Sequence, residues 1–211
     1  MKQGGVCMLP IITISRQYGS GGHEVGERLA EKLGIPLLDK ELIAMAAKQS
    51  GLSEEVFERA DEKASSSLLY SMVMGNYTLG SRITGVNEMP INDKLFILQS
   101  DIIKKAAAEG PCVVVGRCGD YILRDFENVF HVFVHANKDA RIKRIVSKGL
   151  CEESKAKDFI TKRDKQRANY YNFYSNKRWD DLSNYHLTID SSKFSIDEIV
   201  DIIIAAAECK K

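Results

Sequence analysis

The sequence predicts an α/β fold in which a five-stranded parallel sheet is covered by helices on both faces. Five short apolar segments, rich in β-branched residues, alternate along the chain with longer segments whose apolar residues recur every three or four positions. The short segments show no alternation of apolar and polar residues, which is typical of strands that helices bury on both sides. Strands that alternate with helices pair in parallel, because each helix carries the chain back to the starting edge of the sheet.

Each predicted element has a local signal. In the first helix Val25, Leu29 and Leu33 recur every four residues, and Gly34 follows as a favoured helix stop. Between 65 and 92 the pattern loosens around serine, glycine and proline, which predicts a mobile insert or short helices. The strands are predicted at 11–15, 35–39, 111–116, 129–134 and 185–189, and the helices at 21–33, 40–49, 53–64, 95–110, 138–148, 151–171 and 195–208.

Length and composition narrow the class of protein. The chain has 211 residues, which fits one domain, and its 30 basic and 29 acidic residues nearly balance. Nothing global therefore favours a nucleic acid or a membrane surface as partner. The five cysteines form no CxxC pair, which argues against a zinc site or a disulfide framework and favours a reducing compartment. No apolar run approaches the roughly 20 residues of a membrane span, so we expect a cytoplasmic protein; the oligomeric state stays open.

The glycine-rich stretch between the first strand and the first helix is the strongest functional signal. A helix N-terminus carries free N–H groups and a partial positive charge, and glycines let a loop turn its own N–H groups onto an anion. The P-loop pattern GxxxxGK[ST] is partly met: Gly21 fits its last glycine, whereas Gly22 stands where lysine belongs and Arg16 where the first glycine belongs. The predicted phosphate-binding residues are Gly19, Ser20, Gly21, Gly22, His23 and Glu24.

Two other interpretations of this stretch remain open. Gly19 and Gly21 fit the first two glycines of the dinucleotide pattern GxGxxG, although Glu24 stands at the third. Asp39 lies about 20 residues after Gly19, where dinucleotide-binding folds carry a ribose-binding acid. The other interpretation is a tight strand-to-helix turn that binds nothing.

A second signal follows the third predicted strand directly, at Arg117 and Asp120. Ligands of open parallel sheets bind at the carboxyl ends of the strands, so Arg117 is predicted to point into the same crevice as the glycine-rich stretch. Its planar guanidinium suits phosphate, because it can donate two parallel hydrogen bonds. The alternative is a structural ion pair with Asp120 or Asp125.

The third signal is a basic and aromatic segment at 160–179. Arg163 and Arg167 are four residues apart, so they share one face of a helix. Such a segment is also found where single-stranded nucleic acid binds, or on a solvated helix beside a packed aromatic hinge. Because two phosphate sites are already predicted, we interpret it as a lid whose arginines close over a transferred phosphate.

These segments together resemble the cytidylate-kinase-like family of P-loop nucleoside-monophosphate kinases. The resemblance covers nearly the whole chain. It implies one kinase domain over 1–211, with a helical acceptor-binding insert at 50–92 and a lid at 150–180. It also implies an ATP- and Mg²⁺-dependent transfer to a nucleoside monophosphate, CMP or dCMP first. The resemblance is carried by ISRQYGSGG at 14–22, LLDKEL at 37–42, VVVGRCGDYIL at 113–123, KRDKQRANYY at 162–171 and LTIDSSKFSIDEIV at 187–200.

The chain departs from ordinary cytidylate kinases at two places. Their loop reads GSGKGT, so their lysine corresponds to Gly22 and their threonine to Glu24. Ala44-Met45 stands where they carry a tyrosine–arginine pair that helps to hold the monophosphate. The departures keep two alternatives open: a nucleotide-binding module without catalysis and, less favoured, an NAD-dependent enzyme.

The resemblance and the local charges give each candidate residue a role. We expect Arg16, at the end of the first strand, to supply the charge of the absent lysine. His23 is expected to donate to a phosphate oxygen, and Glu24 to hold Mg²⁺ through water. The backbone N–H groups of 19–22 are expected to bind the donor phosphates. The full assignment is Arg16, Arg163 and Arg167 as catalytic residues and Asp39, Arg117 and Asp120 as acceptor-binding residues, with no metal-ligating side chain assigned.

Overall fold

A computed structural model describes residues 10–39 and 91–209. The predicted helices at 40–49 and 53–64, most of the insert at 50–92 and the pair Ala44-Met45 lie outside the described residues. Residues 91 and 92, which were assigned to the insert, begin a long helix.

The strands of the described chain form one sheet of five, and every pair of neighbouring strands is parallel. The predicted fold class, a parallel sheet between helices, is thereby confirmed. The first strand lies in the centre of the sheet, where its Ile14 is level with Val115 on one side and with Val132 on the other. The strands are β1 Ile11–Arg16, β2 Leu37–Leu38, β3 Val113–Val115, β4 Val129–His135 and β5 Leu187–Asp190, in the spatial order β2-β3-β1-β4-β5.

Helices connect the strands, and some of them begin at a side-chain cap. The Asn137 side chain accepts from the Ala140 amide at the start of one helix. Ser195 and Glu198 form a reciprocal capping box at the start of the last. None of the helices in the two described ranges is long and apolar enough to cross a membrane. The helices are α1 Gly22–Leu33, α2 Ile91–Glu109, α3 Gly119–Ile122, α4 Lys138–Ser147, α5 Glu153–Ser175 and α6 Ile196–Glu208, with a short 3₁₀ helix at Leu182–Asn184.

Successive strand residues enter different cores, because their side chains point to opposite faces of the sheet. Ile12 and Ile14 of β1 pack with residues of α1 and α6 on one face. On the other face Val114 of β3 packs with residues of α2 and α3. Phe133 of β4 packs on that face with an aromatic cluster from α5 and the chain that follows it. Both faces are therefore covered, as the uniformly apolar strands predict.

Three strands, β2, β3 and β5, are shorter than the sequence predicts, and two helices, α2 and α5, are longer. β2 has two residues because Pro36 has no N–H to donate, although its carbonyl still accepts from the Val113 amide at 2.8 Å. β5 begins at Leu187, because Tyr185 closes the preceding 3₁₀ turn onto Leu182. α5 continues to Ser175 rather than 171, since its last turn packs against α2. The prediction missed α3, which is a single turn of four residues.

Candidate functional site

The candidate site lies at the carboxyl edge of the sheet, where β1 and β3 end side by side. Ile14 pairs with Val115, so Arg16 and Arg117, each two residues further on, leave the sheet at the same level. The β1–α1 turn at 17–21 and the β3–α3 turn at 116–118 therefore flank one edge of the sheet. This is the position at which open parallel sheets bind their ligands.

The β1–α1 turn leaves the N-terminus of α1 without a side-chain cap. Gly19 and Gly21 adopt left-handed conformations, with φ of 79° and 81°, that residues with a Cβ rarely adopt. Gly21 is the residue that precedes the helix, and it makes no side-chain cap hydrogen bond to the first turn. Ser20 is turned away, since its hydroxyl donates to the Gln17 carbonyl at 2.9 Å. The open end of this 12-residue helix can therefore receive an anion.

The Arg16 side chain crosses the mouth of this turn. A Cβ on Gly22 would lie 2.5 Å from the Cβ of Arg16, and a Cβ on Gly116 would lie 2.9 Å from its guanidinium carbon. The stem of Arg16 thus passes over the first residue of α1, and its guanidinium reaches the β3–α3 turn. The structure places the Arg16 cation between two predicted phosphate-facing segments.

Helix α5 holds the backbone of the β1–α1 turn. Arg167 donates to the carbonyl of Arg16 at 2.9 Å, and Asp164 accepts from the amide of Tyr18 at 2.7 Å. The Tyr18 ring packs edge-on against Phe159, with ring centroids 5.4 Å apart. Burial lowers the pKa of Arg167 to about 10. Arg167 is therefore bonded to the turn itself, rather than extended towards solvent as expected of a swinging lid arginine.

Arg163 differs from Arg167 in its surroundings. Its side chain is exposed, and its guanidinium carbon lies 5.8 Å from the centroid of the Tyr18 ring and 5.2 Å from that of Phe159. The two predicted lid arginines therefore lie together beside Tyr18, one packed into the turn and one at the surface.

Helix α4 contributes basic residues that the sequence reasoning did not single out. Arg141 donates to the carbonyl of Tyr18 at 3.2 Å and to Asp164 at 2.5 Å. Arg144 lies against Gly21, whose Cβ would be 2.9 Å from the guanidinium carbon. These residues recur at helical spacing with Lys148, which follows the last residue of α4, on the side that meets the turn. That spacing, directly after a predicted strand, was a signal that could have identified them.

The structure gives Glu24 different partners from the expected metal ion. Its carboxylate accepts from Arg144 and from Lys148, each at 2.9 Å. The hydrogen bond from Lys148 is the main cause that lowers the Glu24 pKa. Glu24 thus ties α1 to α4, and a metal ion would have to displace both cations. In the described ranges, no group of three or more His, Cys, Asp or Glu side chains is arranged to hold a metal.

His23 and Asp39 are brought together, although the sequence reasoning assigned them to different ligands. His23 Nε2 lies 3.1 Å from an Asp39 carboxylate oxygen, and His23 Nδ1 lies 3.4 Å from Glu27. Both ring nitrogens therefore face carboxylates, and a phosphate would have to replace one of them. Asp39 is buried at the end of β2 and lies next to the first turn of α1 through this contact.

The β3–α3 turn has an unusual backbone. Gly116, Arg117 and Cys118 are all left-handed, with φ of 76°, 56° and 55°. The turn is closed by a hydrogen bond from the Gly119 amide to the Gly116 carbonyl at 2.9 Å. Left-handed conformations in residues with a Cβ are strained and cluster at functional sites. The Cys118 thiol is buried, which raises its pKa well above the usual value, so it is not a reactive nucleophile.

Asp120 is buried rather than exposed to the crevice. The residue is 4 % exposed, and one carboxylate oxygen accepts from the Tyr171 hydroxyl at 2.5 Å. The other oxygen is buried without a hydrogen-bond partner in the described residues. Burial raises the Asp120 pKa. Asp120 thus connects α3 to α5, beneath the surface that an acceptor would touch.

The fold and this edge are typical of α/β proteins of the kinase type. A parallel sheet, an uncapped helix behind a glycine turn, and arginines converging from β1, β3 and α5 are the parts that phosphoryl transfer requires. The NAD-dependent alternative would leave this arrangement of arginines unexplained.

The chain belongs to the cytidylate kinase-like family, which it matches over residues 11–193. It is 26 % identical over 202 residues to the cytidylate kinase of Archaeoglobus fulgidus, which covers 95 % of this chain and 96 % of that protein. Membership of this family, with the kinase fold, supports a nucleotide kinase.

Solved structures agree on the architecture. An uncharacterised protein from Eubacterium ventriosum superposes with a TM-score of 0.71 at 29 % identity, covering 95 % of this chain and 99 % of that one. A gluconokinase from Sinorhizobium meliloti gives a TM-score of 0.52 at 16 % identity, over 95 % of this chain and 92 % of that one. The second similarity is one of fold alone.

Proposed function

We propose that the protein transfers the terminal phosphoryl group of ATP to a nucleoside monophosphate, with CMP and dCMP as the first candidates. The observation that carries the proposal is the uncapped N-terminus of α1, crossed by the Arg16 side chain and flanked by Arg117 at the same level of the sheet. Family membership supports the reaction class. The choice of CMP rests on the relative from Archaeoglobus fulgidus, which carries the name cytidylate kinase.

On the donor side, the N–H groups of the turn at 19–22 and of the first turn of α1 bind the phosphate oxygens of ATP. Phosphoryl transfer needs positioning and positive charge more than a nucleophile from the protein. Arg163, exposed beside Tyr18, is the lid residue that reaches a bound nucleotide. Arg167 acts behind it, because its hydrogen bond to the Arg16 carbonyl fixes the turn.

On the acceptor side, Arg117 binds the monophosphate. Its position on a strained turn at the carboxyl end of β3 fixes the direction in which its guanidinium leaves the sheet. Asp39 lies at the end of the neighbouring strand β2 and faces the same edge. Asp120 supports the acceptor site from below, through its hydrogen bond with Tyr171.

Mg²⁺ accompanies ATP in this reaction class, where it takes most of its ligands from phosphates and water and one or two from carboxylates. The ion would replace a present partner of either carboxylate: Asp39 contacts His23 at 3.1 Å, whereas Glu24 is bonded to the two cations Arg144 and Lys148, so Asp39 fits that donor set better. When bound, the ion would neutralise charge that develops on the transferred group.

The test is ADP formation from Mg·ATP with each nucleoside monophosphate in turn, resolved by chromatography. CMP or dCMP should be consumed, and Arg117→Met should lower kcat/KM by about 10²-fold, the effect of removing one donor to developing charge. Arg124→Met is the matched control, because Arg124 lies over the Tyr121 ring outside the site. Failure of every monophosphate to react would contradict the proposal.

A second candidate function is nucleotide binding without transfer. The observation that favours it is the glycine at position 22, where ordinary members of the fold class carry lysine. This candidate predicts that ATP binds, as measured by calorimetry, whereas no monophosphate accelerates its consumption. The same purified chain serves both measurements, so the two functions are separated in one experiment.

A further inference from the structure

We propose that Arg16 supplies the positive charge that the P-loop lysine supplies in ordinary members of the fold class, and that it contacts the β- and γ-phosphates of ATP. Its side chain, which starts from β1, occupies the space that a side chain at position 22 would need. The inference rests on the proposed binding of ATP, but not on the identity of the acceptor. If it holds, the phosphate-binding cation can come from position 16 or from position 22, but not from both.

The stem of Arg16 leaves no room for a side chain at position 22. A Cβ on Gly22 would lie 2.5 Å from the Cβ of Arg16, 3.0 Å from its Cγ and 3.3 Å from the Cβ of Val134. Carbon atoms in contact lie about 3.5–4.0 Å apart, so any side chain at 22 collides with the stem of Arg16. The glycine at 22 is thus a requirement of the arginine at 16.

The guanidinium end of the Arg16 side chain lies against Gly116. A Cβ on Gly116 would collide with the Nη1 atom of Arg16 and lie 2.9 Å from its Cζ. Glycine at 116 therefore leaves room for the guanidinium, in addition to permitting the left-handed φ of 76°. Two glycines, in segments about a hundred residues apart, are shaped around one arginine.

The backbone around Arg16 fixes the direction in which its positively charged side chain extends. Arg16 ends β1 immediately before the turn, and Arg167 donates to its carbonyl at 2.9 Å. The backbone from which the side chain starts is therefore fixed. The stem lies over Gly22, the first residue of α1, and the guanidinium lies beside Gly116, at the same edge of the sheet as the uncapped end of α1, where a phosphate would bind. An arginine there can donate two parallel hydrogen bonds to phosphate oxygens, whereas a lysine acts as a point charge.

The alternative is that Arg16 merely fills space between the two turns. Arg16→Met distinguishes these roles, because it keeps the length of the stem and removes the charge. We expect this variant to fold with a cooperative urea transition, while its affinity for Mg·ATP and its kcat/KM each fall at least 10-fold. Arg28→Met, on the outer surface of α1, is the matched control and should change neither.

The decisive experiment exchanges the two positions. Gly22→Lys alone should be destabilised and inactive, because the lysine stem collides with Arg16. The partner substitution has to be Arg16→Gly rather than Arg16→Ala, since the Cβ at 16 is itself 2.5 Å from a Cβ at 22. The double variant R16G/G22K should recover the stability lost in G22K and bind Mg·ATP at least 10-fold more tightly than R16G.

The readouts are calorimetric titration with Mg·ATP, ADP formation and urea unfolding. Full ATP affinity in Arg16→Met, or a double variant no better than the sum of its single substitutions, would overturn the inference. Absence of ATP binding by the wild type would overturn it as well. If ATP binds as expected and no monophosphate reacts, the proposed transfer fails while the assignment of Arg16 stands.

Discussion

The two turns at the carboxyl edge of the sheet both contain left-handed residues, but the residue types at those positions differ. In the β1–α1 turn the left-handed positions are both glycines, Gly19 and Gly21. In the β3–α3 turn a glycine is followed by Arg117 and Cys118, both left-handed and both with a Cβ. A left-handed residue with a Cβ costs roughly 1–2 kcal/mol. The second turn therefore stores strain that the first avoids.

The difference indicates what each turn contributes. The β1–α1 turn presents backbone N–H groups, for which side chains are an obstacle, so glycine is sufficient. The β3–α3 turn presents a side chain, and a glycine in place of Arg117 would be comfortable but would have no charge. Strain at such a place is kept when the surroundings fix it, here through the burial of Cys118. The predictions below test this division of roles.

The largest effect is expected where the two turns meet. Gly116→Ala should destabilise the protein by about 2–4 kcal/mol, because it combines a left-handed alanine with a collision against Arg16. Gly34→Ala is the matched control, since Gly34 has a φ of 64° and nothing within 4 Å of its added Cβ. Urea unfolding of both variants isolates the collision. Equal losses of stability would show that the guanidinium does not occupy this space.

A somewhat smaller effect is expected for the contact that joins α5 to the β1–α1 turn. Asp164→Asn should cost about 2 kcal/mol, because Asp164 accepts from Tyr18 and from the buried Arg141 by charge-assisted bonds. Asp197→Asn, which removes an exposed and solvent-screened pair with Arg28, should lower the unfolding midpoint much less. Equal unfolding midpoints for the two variants would mean that α5 does not hold the turn.

The β3–α3 turn should favour glycine over alanine at its left-handed position 117. Arg117→Gly and Arg117→Ala both remove the guanidinium, but only the glycine removes the strained Cβ, so we expect Arg117→Gly to be the more stable of the two by about 1 kcal/mol. Both variants should lose phosphoryl transfer, because the acceptor phosphate loses its guanidinium. Urea unfolding and ADP formation measured on one preparation of each check both parts. An Arg117→Gly variant that is no more stable than Arg117→Ala would show that the turn is not strained at this residue.

The smallest expected effect is the change with pH in the contribution of Asp120 to stability. Burial raises the Asp120 pKa, so between its unfolded and folded values the folded state retains a proton that the unfolded state has released. Its contribution to stability therefore falls as pH rises above about 4. Asp120→Asn should become more favourable relative to the wild type between pH 4.5 and 7.5 in urea unfolding.

Glu24 supplies the opposite control. Lys148 and Arg144 lower its pKa, so its contribution to stability is present at neutral pH and is lost as pH falls through the folded value. The penalty of Glu24→Gln should therefore shrink towards acid pH. If the two variants changed with pH in the same direction, the assigned environment of one carboxylate would be wrong.

The sequence by itself determined the elements and their arrangement as a class. Apolar β-branched runs and residues at helical spacing are local patterns, so the strands, most helices of the described ranges and the parallel sheet were predictable from them. The family followed from the same stretches, since a loop such as ISRQYGSGG is contiguous in the chain. Two strand ends were missed although their causes are local, since Pro36 has no N–H to donate and Tyr185 closes a turn onto Leu182.

Tertiary structure alone decided how the candidate residues are used. Glu24 was expected to face a metal ion and instead meets Arg144 and Lys148, which lie about 120 residues away. Asp120 was expected at the acceptor and is buried under Tyr171. The fit of Arg16 between two glycines depends on the register of β1 with β3 and on how closely α1 approaches the sheet. Such contacts between distant segments arise when the core packs, and no local pattern encodes them.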